Sequence, residues 1–314
     1  FDTVGYDNDL FFVAISQINQ GGPGVVSDPG KRKMISELNL KAGERAIALS
    51  DFNAALKLFE HGISYLLDDA WTTQYHLAID LFDKAAEAAC IINNGRAVTF
   101  YTNELIKHAR CSDDKLNCLY SSTRVLLQAN LLHEAKESML NLIQQCGERL
   151  PQPMVNKELD DKMGVMNDTL RIMSDESILN MEETKNGKIV FLQKVYAELA
   201  NLLLYLEPSR VGAVSLRMVD LTLRLGLTRA SPLAFIFYGA TLVSMGNEHV
   251  SEGCRLGRIA LRLLEKSYCS TYKASAICVV YFTVLWASDP LQSIAEAHML
   301  GHRAGMQSGD FLYS

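Results

Sequence analysis

The sequence is short of most features that mark a specialised chain. Seven prolines and twenty glycines among 314 residues are too few for a collagen-like or low-complexity polypeptide. Positive charge is not in excess: thirty Lys and Arg against thirty-six Asp and Glu leave a net −6, which argues against a general nucleic-acid binder. The longest apolar run, Ile277 to Ala287, falls well short of the ~20 residues a spanning helix needs, so no membrane span is expected. No basic-then-apolar signal segment opens the chain. The seven cysteines (90, 111, 118, 146, 254, 269 and 278) are odd in number and form no CxxC pair, which disfavours a secreted disulfide framework. A reducing, cytoplasmic compartment is the expectation, and the lone sequon Asn167-Asp168-Thr169 then reads as chance.

What is present is ordinary globular material. Apolar residues make up 48% and charged residues 21%, and the length allows one large domain or two ordinary ones. A chain of this size buries roughly three quarters of its unfolded surface, so it needs neither disulfides nor a structural metal to fold. It opens at Phe1 without an initiator methionine and stops at Ser314 soon after a helical segment, and so reads as a piece of a longer polypeptide.

Periodicity is helical nearly throughout. Between Leu38 and Leu67, Ala46, Leu49, Ala54/Ala55, Leu58 and Phe59 recur at three and four residues. Alternation of period two never persists, and Asn94-Gly95 and Asn186-Gly187 sit between helical patterns, where they suit left-handed helix ends. Asp51, Ser112/Asp113, Ser251 and Asp289 read as helix starts, and Pro208, Pro232 and Pro290 fall near first-turn positions. The class is all-α, with some fourteen helices, more than about two thirds of the chain helical, and no sheet.

The helices repeat. A small residue followed four later by a larger one, and three later by a third helix-facing residue, occurs at Ala55–Phe59–Gly62, with Gly43 twelve residues before it. It recurs at Ala97–Tyr101–Glu104 (Ala85 twelve before), Ala135–Met139–Leu142, Ala213–Arg217, Gly253–Gly257–Ala260 and Ala295–Met299–His302. The anchors are spaced by 42, 38, 78, 40 and 42 residues, and 78 is close to twice 39. That is about seven helix pairs with a period near 40. Small residues let antiparallel helices approach, and a bulky one a turn later plugs the next pair. The spacing is tetratricopeptide-like, although that repeat is ~34 residues long and carries Trp and Pro at positions mostly lacking here. The expected fold is a tetratricopeptide-like superhelix, an α-solenoid. Leu150-Pro151-Gln152-Pro153 and the polar stretch 175–188 divide it: 1–30 as a linker, 31–150 as a first array, 151–187 as an irregular seam, 188–314 as a second array, with one array continuous across the seam as the alternative.

Candidate chemistry is sparse. Gly21-Gly22-Pro23-Gly24 invites a phosphate-loop reading, but Val25-Val26-Ser27 supplies no lysine, and an interhelix loop is the default. His298 and His302 share a helix face as a metal pair would, without the glutamate of HExxH or a third ligand. His108, Cys111 and Cys118 match no common zinc spacing. Asp68-Asp69 and Asp113-Asp114 are adjacent acids at helix borders, placed as caps rather than as an acid/base pair. No catalytic, cofactor or metal site is expected. Two basic rows remain: Arg210, Arg217 and Arg224 at heptad spacing, and Arg255, Arg258 and Arg262 on a later helix. They are the candidate surface for an acidic partner. The alternative is a solvated face, with Asp220, Glu252 and Glu265 as intrahelical partners.

One resemblance covers nearly the whole chain. Ile18-Asn19, Ser27-Asp28-Pro29, Glu37-Leu38-Asn39-Leu40-Lys41-Ala42-Gly43, Ala54-Ala55-Leu56-Lys57-Leu58-Phe59-Glu60-His61-Gly62 and Asp68-Asp69-Ala70-Trp71 carry its first half. Leu216-Arg217-Met218-Val219-Asp220-Leu221-Thr222-Leu223, Phe237-Tyr238-Gly239, Gly253 to Leu261 and Ala304 to Asp310 carry the second. In colinear order these segments resemble the helical region that follows the AAA-type (STAND-like) predicted ATPase module of very large signalling proteins. There a protein-kinase-like domain often precedes the ATPase, and a GAF domain with a histidine kinase or nucleotide cyclase often follows. The resemblance implies an intracellular, ATP-binding signalling parent whose ATP, Mg and catalytic residues lie outside these residues. It implies a non-enzymatic regulatory arm that contacts proteins or other parts of its own polypeptide, with a small-molecule sensor groove as the alternative.

Overall fold

A computed structural model describes residues 3–149, 156–266, 269 and 272–308. The described residues are predominantly helical, and no strand occurs among them. The chain divides into two compact units, Phe1–Leu131 and Leu132–Ser314.

The first unit holds α1 (Thr3–Gly21), α2 (Pro29–Ala48), α3 (Phe52–Ser64), α4 (Ala70–Thr73), α5 (Tyr75–Ile91), α6 (Gly95–His108) and α7 (Leu116–Gln128). Side-chain caps set several starts: Asp28 accepts from the Lys31 amide at 2.7 Å and Asp51 from that of Ala54 at 3.0 Å. Asn94 caps α6 by accepting from the Ala97 amide at 3.2 Å. The left-handed residue before α6 is Asn93 (φ 57°), so Asn94 and Gly95 open this helix instead of ending its predecessor. The same correction holds for Asn186, whose side chain accepts from the Lys188 and Ile189 amides.

The core of this unit is built by the repeat residues. Ala55 and Phe59 are fully buried, and a Cβ on Gly43 would lie 2.3 Å from the Phe59 ring, so the ring of α3 fills the gap that Gly43 leaves on α2. A turn on, a Cβ on Gly62 would meet Leu81 of α5 at 2.6 Å. Ala85 is sealed, whereas Ala97 is half-buried at the edge of the cluster. A buried reciprocal amide pair, Asn19 with Asn39 at 2.7 and 3.0 Å, ties α1 to α2.

The second unit holds α8 (Leu132–Gln145), α9 (Asn156–Ile172), α10 (Asp175–Leu179), α11 (Gly187–Leu206), α12 (Val211–Leu225), α13 (Ser231–Met245), α14 (Asn247–Leu263), α15 (Lys273–Thr283) and α16 (Leu291–Ser308). Ser251 lies inside α14 rather than at its start. Leu150 to Pro153 lie outside the described residues. Beyond them the stretch expected to be irregular contains two helices and an extended strip. That strip is pinned to the α12–α13 turn: the Thr184 amide donates to Leu227 O at 2.9 Å and the Leu227 amide to Glu182 O at 2.8 Å. Gly226 permits the approach, with φ +102° and no room for a Cβ, which would lie 2.7 Å from Glu182 O.

One helix departs from the reading of apolar runs. By length and composition α11 could cross a bilayer, yet 61% of its apolar window is buried inside this unit. Gln193 and Asn201 interrupt the run, and both are buried, Gln193 donating to Met218 O at 2.8 Å. Register also departs in α16. Ala295 and His302 are exposed and Met299 is 57% exposed, while Ala297, Gly301 and Gly305 are buried. A Cβ on Gly301 would meet Cys278 Sγ at 3.1 Å, so the small residues two positions later face α15 instead.

Candidate functional site

The two arginine rows are better partnered than a free basic surface would be. Arg210 pairs with Glu207 at 3.1 Å, and Glu207 also receives Lys136 of α8 at 2.7 Å. Lys136, then Arg210, hold the Glu207 carboxyl below the usual carboxylate range. Arg217 donates to both oxygens of Glu148, at 3.2 and 2.7 Å, and also to Asp220. Arg224 is 69% exposed and meets Asp220 only at 3.5 Å.

On α14, Arg255 donates from all three guanidinium nitrogens. It donates to Asp175 at 2.6 Å, to Glu252 at 2.7 Å, and to the Leu170 and Met173 carbonyls at 3.2 and 2.7 Å. Arg258 reaches Asp289 at 3.0 Å and Arg262 reaches Glu176 at 2.7 Å, both side chains about half exposed. Lys266 donates to Leu179 O. Asp220 and Glu252 thus serve as the intrahelical partners, but Glu148, Asp175 and Glu176 come from elsewhere in the unit. Arg224, Arg258 and Arg262 present the exposed positive charge.

Of these arginines, Arg255 also holds the end of α9, through the Leu170 carbonyl. α9 runs from Gly212 of α12, where a Cβ would meet Leu159 at 3.2 Å, across α13 to Arg255 of α14. The Tyr238 hydroxyl of α13 donates to Met163 O or Asn167 Oδ1, at 3.1 and 2.9 Å. Along α9, Met163, Asn167 and Leu170 are buried, at i, i+4 and i+7. Val165 and Ile172 are 70% and 87% exposed.

A cavity flanks α9 on each side. The first, about 540 Å³, has an apolar floor of Val165, Met166, Ala213 and Leu216, with Asp161, Lys162, Arg217 and Asp220 among its lining. The second, about 490 Å³, lies against Leu159, Met163, Leu204, Gly212, Met245 and Trp286, and is mostly apolar. The buried stripe of α9 was visible as spacing in the sequence. The acidic and amide residues between its members masked it.

The remaining candidates do not converge. His108 stacks on Trp71 with ring centroids 4.5 Å apart. Cys118 is buried, its thiol donating to Lys115 O and pushed up to about 12 by burial, whereas Cys111 is exposed. His298 is half-buried and His302 exposed. Among the described residues no three His, Cys, Asp or Glu side chains form a metal-sized cluster. The Gly21–Gly24 loop is a poor fit for a nucleotide phosphate. The α2 N-terminus beyond it is already capped by the Asp28 carboxylate, where an anion would otherwise sit. Asp114 is held below the usual carboxylate range by the Tyr75 hydroxyl, helped by the Cys111 and Arg110 amides, as a cap is.

Compared with known proteins, the chain matches no family model and no curated protein.

Proposed function

We propose that the chain is a non-catalytic helical-repeat scaffold, a regulatory arm within a large ATP-binding signalling protein of the cytoplasm. In this reading its helices form a tetratricopeptide-like superhelix of about seven pairs with a period near 40, and its faces hold a protein partner or another part of the parent. The observation that carries the reading is small-residue packing at the repeat anchors. Gly43 receives Phe59, Gly239 meets Gly253, and a Cβ on Gly257 would lie 3.1 Å from both Val280 and Val284. Stacked pairs built this way create extended surfaces whose natural use is to bind another chain. ATP, Mg and any kinase or cyclase activity belong, in this reading, to other segments of the parent.

The alternative is a small-molecule sensor. It is favoured by the α9–α12 cavity of about 540 Å³, apolar in its floor with opposite charges at its edge.

The test mixes purified 1–314 with the parent's other domains and assays ATP turnover in parallel. The scaffold reading expects association without turnover by 1–314. ATP hydrolysis by 1–314, or no association, overturns it. A ligand that stabilises 1–314 only while the α9–α12 cavity is open, and is lost on Ala213→Phe, establishes the sensor instead.

A further inference from the structure

We infer that the surface running over α12, α13 and Arg255 of α14 is a helix-binding site, and that α9 is its resident and displaceable occupant. This rests on the scaffold reading and names the site through which binding would occur.

Three observations support it. α9 lies across these helices as a docked ligand helix does, anchored by a short stripe at i, i+4 and i+7. Among its described side chains three are buried, against ten residues on α13. Solvent-open clefts of about 540 and 490 Å³ run along the two sides of α9, so it covers only part of the apolar surface of α12 and α13.

Its attachment has the form of a receptor. The last carbonyls of a helix lack intrahelical partners, and Arg255 donates to two of the carbonyls at this end, Leu170 O and Met173 O. The same guanidinium binds Asp175, and Arg262 binds Glu176. Midway, Tyr238 reads the Asn167 amide and the Met163 carbonyl. The partner that fits is therefore an amphipathic helix bearing a large apolar residue, an amide four positions on and a leucine three beyond that. An acidic pair follows shortly after its C-terminus. Such a helix, better matched to the two flanking cavities, would displace α9.

The test uses a fluorescein-labelled peptide with the sequence of residues 156–180. It is titrated onto the 314-residue chain and onto a Met163→Asp/Leu170→Asp variant whose own α9 cannot dock. The inference expects the variant to bind the peptide at least tenfold more tightly than the parent chain, and Arg255→Gln added to the variant to reverse the gain. Hydrogen exchange on the unmodified chain is the second measurement, with α9 amides expected to exchange much faster than those of α11 and α13. Equal peptide binding by both chains overturns the inference. So does protection of α9 equal to that of α13, or loss of cooperative unfolding in the double variant, because each makes α9 part of the core. Peptide binding needs no other domain, so the scaffold reading can fail at its own test while this one stands.

Discussion

Gly239 of α13 and Gly253 of α14 meet backbone to backbone: a Cβ on Gly239 would lie 2.9 Å from Gly253 O, and one on Gly253 would lie 2.7 Å from Gly239 O. Backbone cannot rotate away as a side chain can, so the helices must separate to admit a methyl group. Gly253→Ala should cost about 1–3 kcal/mol by overpacking. Gly164 of α9 is the control, because a Cβ there meets nothing within 4 Å. Gly164→Ala should stabilise the helix by roughly 0.5–1 kcal/mol. Urea midpoints check both signs; a neutral Gly253→Ala would show that this contact is looser than its geometry.

Two repeat anchors in the first unit should behave differently from one another. Ala55 is fully buried beside Phe59, so Ala55→Leu should destabilise by about 1–3 kcal/mol. Ala97 is half-buried on the rim of the same core, and Ala97→Leu should cost less than about 1 kcal/mol because its added carbons can turn toward water. Chemical denaturation of the pair decides the matter. Equal midpoints for the two variants would remove the distinction between sealed and rim anchors.

Much of the fold was legible in the sequence, for identifiable reasons. Periods of three and four dictated helices, and a small residue near a large one located close contacts at Gly43, Ala55, Ala135 and Gly253. Where two small stripes share one helix the pattern cannot choose between them. In α16 the Ala295 stripe looked right, and the Ala297–Gly301 stripe is the one buried. α11 escaped notice as an apolar span because Gln193 and Asn201 break it, and only tertiary structure supplies their burial. Asn94 and Asn186 misled because asparagine suits both a left-handed helix end and an N-cap, and the hydrogen bond decides. The candidate site was half legible. Heptad arginines were plain, but their carboxylate partners at Glu148, Asp175 and Glu176 lie far away in sequence.

Acid should loosen the first unit partly through Asp114. The Tyr75 hydroxyl donates to its carboxylate at 2.5 Å, and with the Cys111 and Arg110 amides it lowers the folded pKa below the unfolded one. A group so shifted contributes stability that is complete above the usual carboxylate range, near ~4, and is lost as pH falls through the lowered value. Asp114→Asn should therefore be destabilising at pH 7, with the gap to the unmodified chain closing as the pH falls below ~4. Tyr75→Phe should shrink the same acid-dependent component. Urea midpoints measured at neutral and at acid pH test this, and a gap that widens on acidification would have the wrong sign.

Arg217 and Arg224 stand seven residues apart on α12 and should separate structural from free charge. Arg217 is 28% exposed and holds Glu148 through two hydrogen bonds, while Arg224 is 69% exposed with one contact at 3.5 Å. Removing Arg224 should change stability by no more than about 0.5 kcal/mol, as exposed pairs usually do. Arg217→Ala leaves Glu148, itself only 25% exposed, without its charge partner and should cost about 1–3 kcal/mol. A double-mutant cycle with Glu148→Gln isolates the pair, and a coupling of roughly 0.5 kcal/mol or more is expected. Raising the salt to about 1 M should erase whatever Arg224 contributes and spare most of the Arg217 term, because screening acts first on exposed charges. Charge reversal aimed at a binding surface is therefore informative at Arg224 or Arg258. At Arg217 it should reduce binding through lost stability, visible as a lowered denaturation midpoint. An Arg217→Glu chain that keeps its midpoint yet loses its partner would return that residue to the surface.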